Sequence, residues 1–201
     1  MRNPSSLSSF LTDTVHFDYC INCVAHTDTN AAETTEAGKV LDYALNALVP
    51  GYIAASCRDF GVKLIHISTD YVFSQHNRSG DIMFKTDDMP FPVGEYGKNK
   101  LIGECYVKEA YGSKKKDWCI LRTSWLYGMH NSKSFIHKFL KNVVTTACSR
   151  PTAEIGMPSD EVSVPTSTDA VIACIKQVIR HKMHGVLHAV PTATASGVSR
   201  L

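Results

Sequence analysis

Three short apolar runs, each followed by residues with a helical period, constrain this chain more than any other feature. FDYCINCVA (17–25), VKLIHIS (62–68) and DWCILRT (117–123) are apolar almost throughout rather than alternating. Runs of that kind suit strands covered on both faces, the condition of a parallel sheet inside helices. We therefore expect strands over 18–25, 62–68 and 117–123, and a short one at GVLHAV (185–190). Residues 31–60 read as one long helical stretch with Leu41, Ala44, Leu45 and Leu48 as its apolar face, kinked or split by Pro50-Gly51 and ended by Gly61. Further helices are expected at 95–111, 133–146 and 167–182, the last opened by Ser167, Thr168 and Asp169. Asn3 and Pro4 form a helix start before Leu7, Phe10 and Leu11, and residues 74–92 look like a loop. Strand–helix alternation implies an α/β fold built of βαβ units.

The remaining composition excludes several functions. Twenty-one Lys and Arg against 19 Asp and Glu leave +2, so no basic field points to nucleic acid or an acidic membrane. No run reaches the ~18 apolar residues of a membrane span. MRNPSSLSSFLTD lacks the apolar centre of a secretory signal, which leads us to expect a cytoplasmic protein. The seven cysteines are scattered and odd in number, unlike a disulfide framework. Cys20 and Cys23 form a CxxC without a second pair at zinc spacing, so buried reduced thiols, and no metal, are expected.

Polar chemistry concentrates in two places. In HISTDYVF (66–73) a strand runs straight into Ser68, Thr69, Asp70 and Tyr71. Ligands of open α/β sheets bind at the carboxyl ends of strands, although the same residues also suit a simple turn. In YGKNK (96–100), Tyr96 and Lys100 stand four apart on a helix and project from one face. A cation beside a phenol favours the phenolate and brings a pKa near 10 towards the working range. A strand-end hydroxyl from Thr69 can then share a substrate oxygen as a second donor.

HISTDYVF, a loop, YGKNKLIGE and then LRTSWLYG follow in the order of the extended short-chain dehydrogenase/reductase superfamily. Within it the chain most resembles the dTDP-4-dehydrorhamnose reductase family, which INCVAHTDTNAAE (21–33), NALVPG (46–51) and IRHKMHGVLHAV also resemble. The resemblance implies a Rossmann-like, doubly wound parallel sheet and reduction of a 4-keto-6-deoxy sugar nucleotide by NADPH or NADH. Tyr96 would protonate the C4 oxygen, Lys100 would hold the nicotinamide ribose and lower the Tyr96 pKa, and Thr69 would bond the same carbonyl. Cys23, Val24, Ala25 and Thr27 would lie along the cofactor. Asp70, Tyr71 and Trp125 would line the substrate pocket, with Thr123 and Ser124 near its nicotinamide end. His26 stands where the family usually has Tyr, and Asn30 where it usually has Asp, so that acid's contacts are not carried over.

The family opens with a strand, a GxxGxxG turn and a helix that cradle the pyrophosphate, and no such motif occurs in the 201 residues. The resemblance therefore implies an incomplete sheet without its first βαβ unit. Residues 1–150 would be a partial NAD(P)-binding domain with the catalytic helix, and 151–201 a remnant of the substrate-binding region with a frayed tail. Very weak NADPH binding and an open strand edge at 18–25 are expected. The partners implied are a nucleotide sugar and, as a homodimer, a second copy. Two alternatives remain: a non-catalytic relative such as the regulatory subunit of methionine adenosyltransferase, or an inactive fragment. Retention of Thr69, Tyr96 and Lys100 together argues against the regulator, which needs none of them.

Overall fold

The computed structural model describes residues 16–73, 84–114, 116–128, 134–149 and 164–191. The helix start at Asn3-Pro4, the loop residues 74–83 and the tail from 192 lie outside them. The strands are β1 (Tyr19–Asn22), β2 (Lys63–Thr69), β3 (Trp118–Thr123), β4 (Leu126–Tyr127), β5 (Thr166–Ser167) and β6 (Gly185–His188). The helices are α1 (Thr29–Thr34), α2 (Glu36–Asp42), α3 (Val49–Asp59), α4 (Glu95–Tyr111), α5 (Phe135–Ser149) and α6 (Thr168–His181). Strands β1-β2-β3-β6 pair in that order, all parallel, and β4 pairs with β5 apart from them.

Alternation along β2 sends successive side chains to opposite faces. Leu64 joins Ala54, Cys57, Val107, Tyr111 and Ile120 under α3 and α4. Ile65 joins Cys119, Leu121, Val178 and Ala189 under α6. The sheet is thus covered on both sides, which is why its strands read as continuous apolar runs. Thr69 pairs in register with Thr123, so β2 and β3 end level. Among the described residues β1 has a partner on one side alone, and Ile21 is 44% exposed.

Most element positions agree with the sequence; residues 31–60 do not. Thr35 is extended and ends α1 while capping α2, accepting from Gly38 N at 3.0 Å. The run continues through a π-helical turn over Tyr43–Leu48, where Val49 N–H bonds Ala44 O. Pro50 has no N–H to offer Asn46 O, and the helix widens ahead of it rather than kinking at it. The added residue turns the helix phase. From Asp42 onward the buried positions are therefore Asp42, Asn46, Ala47, Pro50, Ala54 and Cys57. The expected apolar face is not the buried one: Leu41 is 47% exposed, and Ala44, Leu45 and Leu48 are half-buried.

The run Glu36–Asp59 is long and apolar enough to cross a bilayer, where no such run was read from the sequence. One face of it is buried and the other carries exposed apolar side chains such as Val40 and Tyr52. It lies against α4, and its Asp42 is fully buried among hydrogen-bond donors.

Glycine permits the closest crossing. A Cβ on Gly103 of α4 would stand 2.2 Å from Asn46 O and 3.2 Å from Pro50 Cγ. The carbonyl to which Pro50 has no N–H to give therefore faces a residue with no side chain.

The seven cysteines are free thiols, but the expected burial holds in part. Cys57 and Cys119 are buried, Cys20 and Cys174 half-buried, and Cys23, Cys105 and Cys148 exposed. Cys23 lies past the end of β1, which separates the two members of the CxxC.

Candidate active site

The N-terminus of α4 sits against a 3₁₀ turn, Asp70–Val72, that continues directly from β2. Gly97 makes this possible, because a Cβ there would lie 2.3 Å from Tyr71 O. The contact brings Tyr96 onto the end of β2. Its ring meets Tyr71 edge-on at 5.7 Å, and the Thr69 hydroxyl acts on the Tyr96 phenol in favour of its charged form. Thr69 Oγ1 also accepts from Tyr71 N at 3.2 Å, so the hydroxyl is held in place.

One turn along α4, Lys100 is 2% exposed and its Nζ donates to Ile67 O at 2.7 Å. Its other two N–H groups have no hydrogen-bond partner among the described residues. Burial pushes the Lys100 pKa down to about 8, against the pull of Glu104, Asp42 and Cys23. The group is thus mostly charged at neutral pH and poised to lose its proton just above it.

Tyr96 moves the other way from expectation. Burial pushes its phenol up, Thr69 opposes this, and Asp70, Asp42 and Tyr71 add to it. As folded, Tyr96 is therefore a protonated donor rather than a near-neutral phenolate.

The remaining candidates fall into two groups. Cys23, Val24 and Thr27 are exposed and Ala25 half-buried on the segment that leaves β1. Val24 N bonds Asn22 Oδ1 at 3.0 Å, and Asn46 brackets His26, accepting from its N at 3.1 Å and donating to its O at 2.9 Å. Beyond β2, Asp70 is half-buried and Tyr71 39% exposed beside Tyr96. Trp125 follows β3 with φ +30°, an uncommon conformation for a bulky residue. Thr123 and Ser124 are buried and engaged internally, Thr123 Oγ1 donating to Ser68 O at 3.1 Å and Ser124 Oγ accepting from Val164 N at 3.2 Å.

Sequence reading missed the layer beneath these groups. Arg122 Nε and Nη2 grip Glu104 at 2.9 and 2.8 Å, and Ser68 Oγ donates to the same carboxylate at 2.7 Å. Burial pushes the Glu104 carboxyl up, but Arg122, Ser68 and Lys108 outweigh it and hold it below its ordinary value. Both partners are buried, with the Phe73 ring 5.0 Å from the guanidinium. The bridge ties α4 to β3 under the Tyr96–Lys100 pair. Glu104 and Arg122 lie inside YGKNKLIGE and LRTSWLYG, but only folding shows that they meet.

Known proteins share this arrangement of chain. The dTDP-4-dehydrorhamnose reductase of Mycolicibacterium smegmatis is 33% identical over 180 residues, 89% of this chain and 50% of the relative. A probable low-salt glycan biosynthesis reductase of Haloferax volcanii is 31% identical, over 89% of this chain and 55% of the relative. The chain thus spans about half the length of the curated relatives it matches. Among solved structures, a dTDP-4-dehydrorhamnose reductase of Clostridium acetobutylicum superposes with a TM-score of 0.78 at 31% identity, covering 95% of this chain and 61% of that one. That of Bacillus anthracis, in complex with NADP, gives 0.78 at 29% identity, covering 95% and 62%. These matches establish the α/β Rossmann-like fold, and the model of the RmlD substrate binding domain matches residues 1–199. By that match the chain belongs to the RmlD substrate binding domain family.

Proposed function

We propose that this chain carries the catalytic centre of an NAD(P)H-dependent reductase acting on a 4-keto-6-deoxy sugar nucleotide. What supports the reading is the placement of Tyr96 and Lys100 one turn apart at the start of α4, against the 3₁₀ turn that follows Thr69, with the Lys100 amine buried on Ile67 O. The names of the relatives, reductases of dTDP-keto sugars, support the same substrate class.

Tyr96 donates its proton to the carbonyl oxygen that becomes the alcohol. Thr69 fixes the phenol and offers a second hydroxyl at that oxygen. Lys100 keeps a positive charge near the developing phenolate, lowering the cost of proton release. The free N–H groups of Lys100 and the exposed Cys23–Thr27 segment suit the nicotinamide-ribose half of the cofactor. The 201 residues offer no GxxGxxG turn for the pyrophosphate. When bound, the cofactor supplies the hydride. Asp70, Tyr71 and Trp125 would contact the sugar, with Thr123 and Ser124 supporting the wall behind them. The exposed side chains Val40, Leu41, Tyr43 and Tyr52 support pairing with a second copy.

One second reading is a relative that retains the Tyr96–Lys100 pair without reducing a keto sugar. Loss of NADPH absorbance with a dTDP-4-keto-6-deoxyhexose, followed at millimolar NADPH, separates the two. The reductase reading expects slow oxidation that Tyr96→Phe lowers by orders of magnitude. No oxidation above background, or turnover unaffected by Tyr96→Phe, removes it.

A further inference from the structure

The Tyr96–Lys100 pair is supported from the helix side by a carboxylate that the reductase reading does not use. Asp42 ends α2 and has no exposed surface. Its Oδ1 accepts from Asn46 Nδ2 at 2.7 Å and lies 3.2 Å from His26 Nδ1, while its Oδ2 accepts from Asn99 Nδ2 at 2.7 Å. Three separate pieces of chain converge on this one group. His26 belongs to the segment leaving β1, Asn46 to the π turn, and Asn99 to α4 immediately before Lys100. Asn46 completes the ring by bonding both the N–H and the C=O of His26.

In a low-dielectric setting the field of a buried, multiply hydrogen-bonded carboxylate reaches neighbouring groups. Two of the neighbours are the reactive pair. Asp42 favours the charged form of Lys100 and the protonated form of Tyr96, the states that proton donation requires of each. The other groups acting on Lys100 are Glu104 on its own helix and Cys23 after β1, while burial and the Lys100 charge hold the His66 ring of β2 well below its ordinary value. Arg122, Ser68 and Lys108 already engage Glu104. Among the described residues no Lys or Arg pairs with Asp42, whose Oδ1 lies 3.2 Å from His26 Nδ1.

We propose that Asp42 is a positioning residue for the Tyr96–Lys100 pair, tying the His26 segment and the π turn to α4 at Asn99, the residue before Lys100. The proposal rests on the reductase reading for what the pair is used for, and its test does not depend on turnover. Lys100 is titrated by NMR in the ¹³C-lysine-labelled 201-residue chain, its signal identified by loss in Lys100→Arg. Asp42→Asn, which keeps the shape and removes the charge, should lower the midpoint by ~0.5–1 unit. An unmoved midpoint in the folded variant overturns the proposal. Asp42→Glu keeps the charge and displaces the bonds. It should leave the midpoint within ~0.3 unit while His26 amide exchange quickens about tenfold. A lowered midpoint or unchanged exchange in Asp42→Glu overturns the proposal even if Asp42→Asn does not fold. Turnover unaffected by Tyr96→Phe would sink the reductase reading and leave these titrations standing.

Discussion

Glu104→Ala should be among the most damaging single substitutions in the described core, through charge rather than volume. It removes the Arg122 bonds at 2.9 and 2.8 Å and the Ser68 bond at 2.7 Å. It also strands a guanidinium that is 2% exposed and whose Nη1 already lacks a partner. Breaking a buried pair from one side costs ~3–5 kcal/mol, because the remaining charge is desolvated without compensation. For a chain of this size that is a fall in Tm of roughly 6–20 °C. Urea denaturation at pH 7 measures it directly.

Acid supplies an independent check. The folded Glu104 carboxyl sits below its ordinary value of 4.5, so its contribution is present above that pH and disappears as pH falls through the folded value. The gap between wild type and Glu104→Gln should therefore narrow in acid. Replacing both partners, Glu104→Leu with Arg122→Met, should recover most of the loss, since an apolar pair of similar volume carries no desolvation cost. A cost under ~1 kcal/mol for Glu104→Ala, or a double variant no more stable than the single one, would refute the reasoning.

Two further changes test the packing and the buried amine. Gly103→Ala gains ~1 kcal/mol of helix propensity but drives a Cβ to 2.2 Å from a backbone oxygen, so a net loss of roughly 1–2 kcal/mol in urea is expected, and a stabilised protein would deny the close crossing. Lys100 has a folded pKa of about 8 against an ordinary 10.5, so the unfolded chain binds more protons between those values and stability should rise with pH across them. Lys100→Met should flatten that rise and be more stable at pH 7 by up to ~3 kcal/mol; a wild type with flat stability from pH 8 to 10.5 would contradict the burial.

How much of this the sequence carried depends on the range of the interaction. Apolar runs such as VKLIHIS announce β2 because a strand covered on both faces has no polar period to display. Glu95–Tyr111 is legible for the converse reason, since an uninterrupted helix ended by a glycine is a local event. Tyr96 and Lys100 share a face by helical arithmetic alone. The stretch 31–60 defeated the same arithmetic. Its period is broken by a π turn that answers to Pro50, and its buried face is polar at Asp42 and Asn46 because these serve partners on other elements.

The tertiary structure alone decided the working state of the site. The sequence placed a cation beside a phenol and implied a lowered Tyr96, but enclosure by the turn at Asp70–Val72 raises it instead. Pairing of Glu104 with Arg122, and convergence of His26, Asn46 and Asn99 on Asp42, join residues far apart in the chain. Local patterns determined which elements form and which side chains share a helix face. Burial and long-range bonds, which have no period in sequence, determined which of those side chains are charged.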